Sequence, residues 1–359
     1  MKVTIILGTR PEIIKMSPII RELEKRSIAY FILHTGQHYS YNMDEIFFEQ
    51  LKLPQPKYNL NVGSGTHAEQ TGKMMIGIES ILMREVPDIV LVEGDTNSVL
   101  AGALAAVKLM IKVGHVEAGL RSFDREMPEE INRLLTDHIS HYLFAPTEKA
   151  KKNLLNEGID ENKIYVTGNT IVDAVYQNLK LAENNDVLER LNLNNDDYLL
   201  LTLHRQENVD REWRLRSIVE GLRLVTDEFE IPIIYPIHPR TRKRLNEFNI
   251  KVCDDVRLIE PLDYLSFLKL ESNAKLILTD SGGVQEEACI LKIPCVTIRY
   301  TTERPETVDV GANMIAGVEP ENILKCVKTM ICKDGDWINP FGDGRAGIRI
   351  VNILSNLKE

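Results

Sequence analysis

The chain has 359 residues, 43% of them hydrophobic and 27% charged, which fits two globular domains of ordinary size. Its 43 basic and 53 acidic residues leave a net charge of -10. That balance argues against a general nucleic-acid binder or a protein of acidic membrane surfaces, so any anion site must be built locally.

The opening run Lys2–Leu7 is apolar for one strand length before Arg10 and Pro11 interrupt it, which predicts a buried strand and not a signal peptide. Further strands are predicted at Ala29–His34, Asp88–Glu93, Val113–Glu117, Tyr142–Ala145 and Lys163–Val166, with helical patterns between them. This alternation is that of a parallel sheet covered by helices on both faces. The segment Val172–Asp197 then turns rich in Asn and Asp, and the domain connection belongs there. The alternation restarts at Tyr198–Leu203, Ile233–Ile237, Val256–Ile259, Leu276–Thr279, Cys295–Ile298 and Met314–Ala316. The expected architecture is therefore α/β: two doubly wound, Rossmann-like domains, residues 1–171 and 172–343, facing a central cleft. A last helix, at about 344–359, is expected to cross back onto the first domain.

No run approaches the roughly 18 apolar residues of a membrane span. The five cysteines, Cys253, Cys289, Cys295, Cys326 and Cys332, form no C-x-x-C pair, which fits a reduced, cytoplasmic protein without a disulfide framework or zinc site.

Ligands of doubly wound sheets bind at the carboxyl ends of the strands. There the first half carries Arg10 after its first strand, Asp95 after the third and Glu117 after the fourth, with Lys15 one turn into the first helix and Glu129-Glu130 further on. The second half carries His204-Arg205 and His238 at two strand ends and, after Leu276–Thr279, the turn Ser281-Gly282-Gly283 opening a helix. Free N–H groups at a helix start, with no Cβ atoms in the way, suit a diphosphate, and Glu286 one turn later could accept from both ribose hydroxyls. Glycine at a strand–helix junction also serves plain tight turns, so this stretch alone leaves both readings open. Carboxylates at 95, 117 and 130 around a neutral sugar would suit acid-base chemistry at carbon, one taking a proton while another gives one.

Competing chemistries lack their signatures. There is no H-E-x-x-H and no EF-hand loop, so no metal is expected. Gly63-Ser64-Gly65-Thr66-His67-Ala68 matches G-x-G-x-x-A, but the residues before it alternate polar and apolar, unlike the buried strand of a dinucleotide site, so no NAD is expected. No G-x-S-x-G marks a serine nucleophile.

Gly8–Glu12 (GTRPE), Gly94–Thr96 (GDT), His115–Ser122 (HVEAGLRS), Pro128–Arg133 (PEEINR), His204–Asn208 (HRQEN), Asp280–Glu287 (DSGGVQEE) and Thr302–Glu306 (TERPE) follow one another along nearly the whole chain. In this order they resemble the non-hydrolysing UDP-N-acetylglucosamine 2-epimerases, a family with the GT-B fold. The resemblance implies inversion at C2 of UDP-N-acetylglucosamine by elimination of UDP to 2-acetamidoglucal, then re-addition to give UDP-N-acetylmannosamine, without cofactor or metal. It implies catalytic roles for Asp95, Glu117, Glu130 and His204, and UDP binding by Arg10, Lys15, His238, Ser281, Gly282, Gly283, Glu286 and Arg304. It also implies a homodimer whose partner is a UDP-sugar, not nucleic acid or membrane. One departure falls in His34–Ser40, where Tyr39 follows Gln37-His38 and many bacterial members have Arg. There this region resembles part of a second, activating substrate site, so that regulation is not carried over. A hydrolysing epimerase releasing UDP and N-acetylmannosamine, a GT-B glycosyltransferase and a non-catalytic nucleotide-sugar sensor are the rival readings.

Overall fold

Short apolar runs that are buried on both faces build the two sheets of this protein. The computed structural model describes residues 1–36, 41–194 and 197–356; Gln37–Ser40, including Tyr39, lie outside the described residues. The chain divides into two compact units, Met1–Gln177 with Phe341–Glu359, and Asn178–Pro340. The division falls inside the helix Thr170–Ala182, within the Asn- and Asp-containing segment and past position 171.

In the first unit the strands are β1 (Lys2–Leu7), β2 (Ala29–His34), β3 (Tyr58–Asn59), β4 (Ile89–Glu93), β5 (Lys112–Val116), β6 (Tyr142–Ala145) and β7 (Ile164–Val166). They pair in the order β3-β2-β1-β4-β5-β6-β7, all parallel, with Val3 opposite Ala29's neighbour Tyr30 on one side and Ile89 on the other. The order reverses direction at β1/β4, the switch point at which such sheets take ligands. Ile5, Leu7, Leu91 and Val92 are fully buried there, as expected of strands covered on both faces. β3 was not expected: it is a two-residue edge strand in the alternating stretch before Gly63. The G-x-G-x-x-A segment does open a helix, His67–Glu85, capped by Thr66, but it follows this edge strand and not a central one.

The last helix, Ala346–Asn356, belongs to the first unit. The backbone N–H groups of Ala346 and Gly347 each donate to the carboxylate of Asp173 at 3.0 Å, which satisfies the helix start. Gly347 packs so closely on the first helix, Arg10–Lys25, that a Cβ there would lie 3.1 Å from Pro18.

The second unit repeats the plan with β8 (Leu199–Thr202), β9 (Ile233–Pro236), β10 (Val256–Ile259), β11 (Leu276–Thr279), β12 (Cys295–Thr297) and β13 (Asn313–Ile315), in the order β10-β9-β8-β11-β12-β13. Its switch point lies between β8 and β11, where Thr202 pairs with Thr279. No helix among the described residues is long and apolar enough to cross a membrane.

Candidate active site

At the first switch point, the helix Arg10–Lys25 begins with Thr9, Pro11 and Glu12, a cap, a pre-set φ and an acid at the third helical position. The buried Glu12 carboxylate accepts from the N–H of Gly8 at 2.5 Å and of Thr9 at 3.2 Å, and from the hydroxyl of Thr96 at 2.5 Å. It thereby ties the loop after β1 to the loop after β4, which carries Asp95. Burial raises its pKa to about 7 against the opposing hydrogen bonds.

Asp95 is part-exposed and accepts from Nε of Arg133 at 3.0 Å. The same guanidinium bonds Glu130 through Nη1, so one arginine brings together two of the three expected catalytic carboxylates. Their settings differ. Glu130 is buried and accepts from Ser122 N–H, Ser122 hydroxyl and Phe123 N–H, each at 3.0 Å, which makes it the anchor of the loop after β5.

Glu117 was expected to end β5; instead the strand stops at Val116, and Glu117 adopts φ +68°, a conformation rare for a residue with a Cβ. The turn aims its carboxylate at Lys15, whose Nζ lies 2.5 Å from Oε1. Asn169 donates to the same oxygen at 3.2 Å. Lys15 also lies 3.4 Å from Glu93, whose pKa burial pushes well above the carboxylate range although Lys15 opposes it. Lys15, expected at the diphosphate, thus sits among carboxylates of its own unit. Arg10 is exposed at the helix start, its guanidinium 5.8 Å from the centre of the Phe47 ring.

At the second switch point the helix Gly282–Leu291 starts at Ser281, and the Cβ positions of Gly282 and Gly283 meet nothing closer than 3.8 Å. The cradle is open where a phosphate would approach. Glu286 is buried in the second turn and accepts from Nε of Arg304 at 2.6 Å, joining two of the expected UDP residues. His204 follows β8 with its ring half exposed, and its Nδ1 lies 2.9 Å from the buried Asp280. His238 caps the helix Pro239–Glu247 by accepting from Arg240 N–H at Nδ1, which leaves the ring proton on Nε2. Partial desolvation, then His204 and Arg240, lower its pKa. The two imidazoles lie 6.4 Å apart, centre to centre. Beside them is a pocket of about 230 Å³ walled by Leu203, Pro236, Pro261, Leu262, Phe267 and Val284, with His204, His238, Thr202 and Ser281 as its polar groups. Its apolar walls and polar mouth suit one flat ring with phosphates at the helix start.

The family model described as UDP-N-acetylglucosamine 2-epimerase matches residues 21–355. The chain belongs to the UDP-N-acetylglucosamine 2-epimerase family. The UDP-N-acetylglucosamine 2-epimerase of Methanocaldococcus jannaschii is 64% identical over 99% of both chains. That of Methanococcus maripaludis is 58% identical over 100% of this chain and 99% of its own. The crystal structure of the M. jannaschii UDP-GlcNAc 2-epimerase in complex with UDP-GlcNAc and UDP superposes with a TM-score of 0.90 at 65% identity, covering 99% of this chain and 100% of that one. Two parallel α/β sheets of seven and six strands are thus this family's GT-B-type fold.

For a member of the epimerase family, three residues that the motifs contain but the sequence reading left without a role stand out. Asp280 orients His204, Arg133 joins Asp95 to Glu130, and Glu12 ties the two loops of the first switch point. Asp280 had one legible signal, its place at the end of a buried strand before a glycine turn. Arg133 and Glu12 had none beyond lying inside motifs.

Proposed function

We propose that the chain is a non-hydrolysing UDP-N-acetylglucosamine 2-epimerase, an isomerase that interconverts UDP-N-acetylglucosamine and UDP-N-acetylmannosamine. The relatives support the substrate, and the chemistry follows from what C2 epimerisation requires. The C2 proton is not acidic while C1 keeps its bond to UDP. As that bond lengthens, cation character at C1 acidifies the proton, a base removes it, and 2-acetamidoglucal and UDP are left. Return of UDP to C1, with a proton delivered to the opposite face of C2, gives the epimer.

The observation that carries this reading is the division of labour at the two switch points. One has Asp95 and Glu117, each held by a cation. The other has an open helix start with His204 fixed beside it and Glu286 behind it. In this reading Asp95, Glu117 and Glu130 are the acid-base set, with Glu130 also positioning Asp95 through Arg133, and Lys15 stabilises Glu117 as carboxylate. The N–H groups of Ser281, Gly282 and Gly283, with His204, His238 and Arg304, take the charge that develops on the departing diphosphate. Glu286 accepts from the ribose, and the apolar pocket at Phe267 takes uracil.

The enzyme works in the cytoplasm in this reading, as its odd, unpaired set of five cysteines suits a reducing compartment. It is a homodimer joined through the first unit, where Ile76, Met83, Val86 and Met110 are exposed apolar side chains on or just beyond neighbouring helices. Light scattering that returned a monomer would remove the dimer.

Proton NMR of the protein with UDP-N-acetylglucosamine in heavy water, with no acceptor, metal or NAD, tests the reaction. Appearance of UDP-N-acetylmannosamine with deuterium at C2 is expected. Accumulation of free UDP and N-acetylmannosamine would make it a hydrolysing epimerase, and an unchanged spectrum would favour a glycosyltransferase.

A further inference from the structure

Thr302-Glu303-Arg304 lies along the first two turns of the cradle helix. The Thr302 hydroxyl donates to Gln285 at 2.5 Å, and Arg304 donates to Glu286 at 2.6 Å. Between them, Oε2 of Glu303 lies 3.8 Å from the position a Cβ of Gly282 would take. A carboxylate therefore stands at the edge of the anion cradle. It is firmly held, because Arg299 grips it with two bonds, at 2.7 and 2.9 Å, and is itself nearly buried. Glu207 bonds the remaining Nε of Arg299 at 3.1 Å. Burial would raise the pKa of Glu303, but Arg299, with Arg205 acting through space, brings it down to about 2, so the group is ionised at any working pH.

A fixed anion at this edge repels a bound diphosphate. The repulsion depends on the ligand. In UDP-sugar the terminal phosphate is esterified, whereas in free UDP it is a monoester that carries close to one further charge above its second pKa of about 6. We propose that Glu303 sets the charge selectivity of the cradle, weakening its hold on free UDP more than on the UDP-sugar ester. This rests on the epimerase reading and adds a determinant to it. A site from which UDP must depart and to which it must return is served by not holding the free trianion far more tightly than the ester. The bland alternative is that Glu303 only neutralises Arg299.

The test compares wild type with Glu303→Gln, which keeps an acceptor for Arg299, and with Glu303→Asp, which keeps the charge. UDP affinity is measured by calorimetry and the KM for UDP-N-acetylglucosamine by turnover, at pH 7.5 and fixed salt. In Glu303→Gln, UDP is expected to bind about tenfold more tightly while KM moves by less than about threefold. The gain should shrink at pH 5.5, where the UDP terminal phosphate is largely protonated. Glu303→Asp should keep the wild-type ratio. Equal changes for UDP and the sugar nucleotide, or a gain unaltered at pH 5.5, would overturn the proposal and leave Glu303 as a partner of Arg299. A wild type that neither binds UDP nor turns over the sugar nucleotide would instead remove the epimerase reading itself.

Discussion

Nδ1 of His204 lies 2.9 Å from Oδ1 of Asp280, a carboxylate fully buried at the end of β11. The same carboxylate accepts from the backbone N–H of His204 at 3.1 Å and of Arg205 at 2.9 Å, and from the Asn208 amide at 3.3 Å. One anion thus fixes both the ring and the backbone of the loop after β8. With Nδ1–H donated to Asp280, the histidine presents Nε2 outward.

Asp280→Asn tests this. The amide still accepts from backbone, but it loses its charge and cannot hold both N–H groups and the ring equally well. Turnover is expected to fall about 100-fold and stability by roughly 2 kcal/mol. Urea unfolding beside steady-state rates would separate the two; unchanged turnover in a folded variant would mean that His204 needs no such orientation.

Asp95→Asn removes the charge held by Arg133 without changing the shape of the side chain. The variant should fold and bind UDP as the wild type does, while turnover drops by about 10² to 10⁴. Deuterium exchange at C2, followed by NMR, is the sensitive readout. A rate within a few-fold of wild type would take Asp95 out of the acid-base set.

Glu286→Gln replaces a buried acceptor by an amide that can accept at one atom only. UDP affinity is expected to weaken about tenfold, since a charge-assisted hydrogen bond to a ribose hydroxyl is lost and the Arg304 contact is loosened. Calorimetry with UDP against its 2'-deoxy analogue localises the effect: the analogue should lose less in the variant than UDP does. An equal loss would leave Glu286 as a support for Arg304 alone.

Glu303 also predicts an acid-side stability profile. Its folded pKa, about 2, lies below a glutamate's ordinary 4.5, so its contribution is present above about pH 4.5 and is lost as pH falls toward 2. Between pH 5 and pH 3 wild type should lose about 2 kcal/mol that Glu303→Gln does not lose. Parallel curves for the two proteins in urea titrations would show that Arg299 does not hold the carboxylate ionised.

Gly119, two residues past Glu117, has φ +83°, and a Cβ there would lie 2.4 Å from the Ala150 carbonyl oxygen. Gly119→Ala therefore meets both backbone strain and a clash with main chain that cannot move aside. A loss of about 3 kcal/mol or more is expected by urea unfolding, with turnover reduced through the displaced Glu117. A variant as stable as wild type would mean that the turn has another conformation open to it.

Burial dictates a set of elements that can be read directly from the order of residues. Strands covered on both faces must be continuous apolar runs, so Lys2–Leu7, Ala29–His34 and Leu276–Thr279 are legible residue by residue. The glycine turn at 281–283 is legible as a strand–helix junction, but glycine serves plain tight turns as well, so the stretch alone did not separate an anion cradle from an ordinary turn. The edge strand Tyr58–Asn59 was not legible: two residues make no periodic pattern, and only β2 beside it defines them as a strand. The partners within the site could be decided only by the tertiary structure. Lys15 meets Glu117, Asp280 meets His204 and Arg299 meets Glu207 because parallel strands deliver their carboxyl ends to one edge, whatever their separation along the chain. A charged residue at a strand end announces that it faces that edge; which opposite charge it finds there depends on strand order, and strand order is set by how the helices pack.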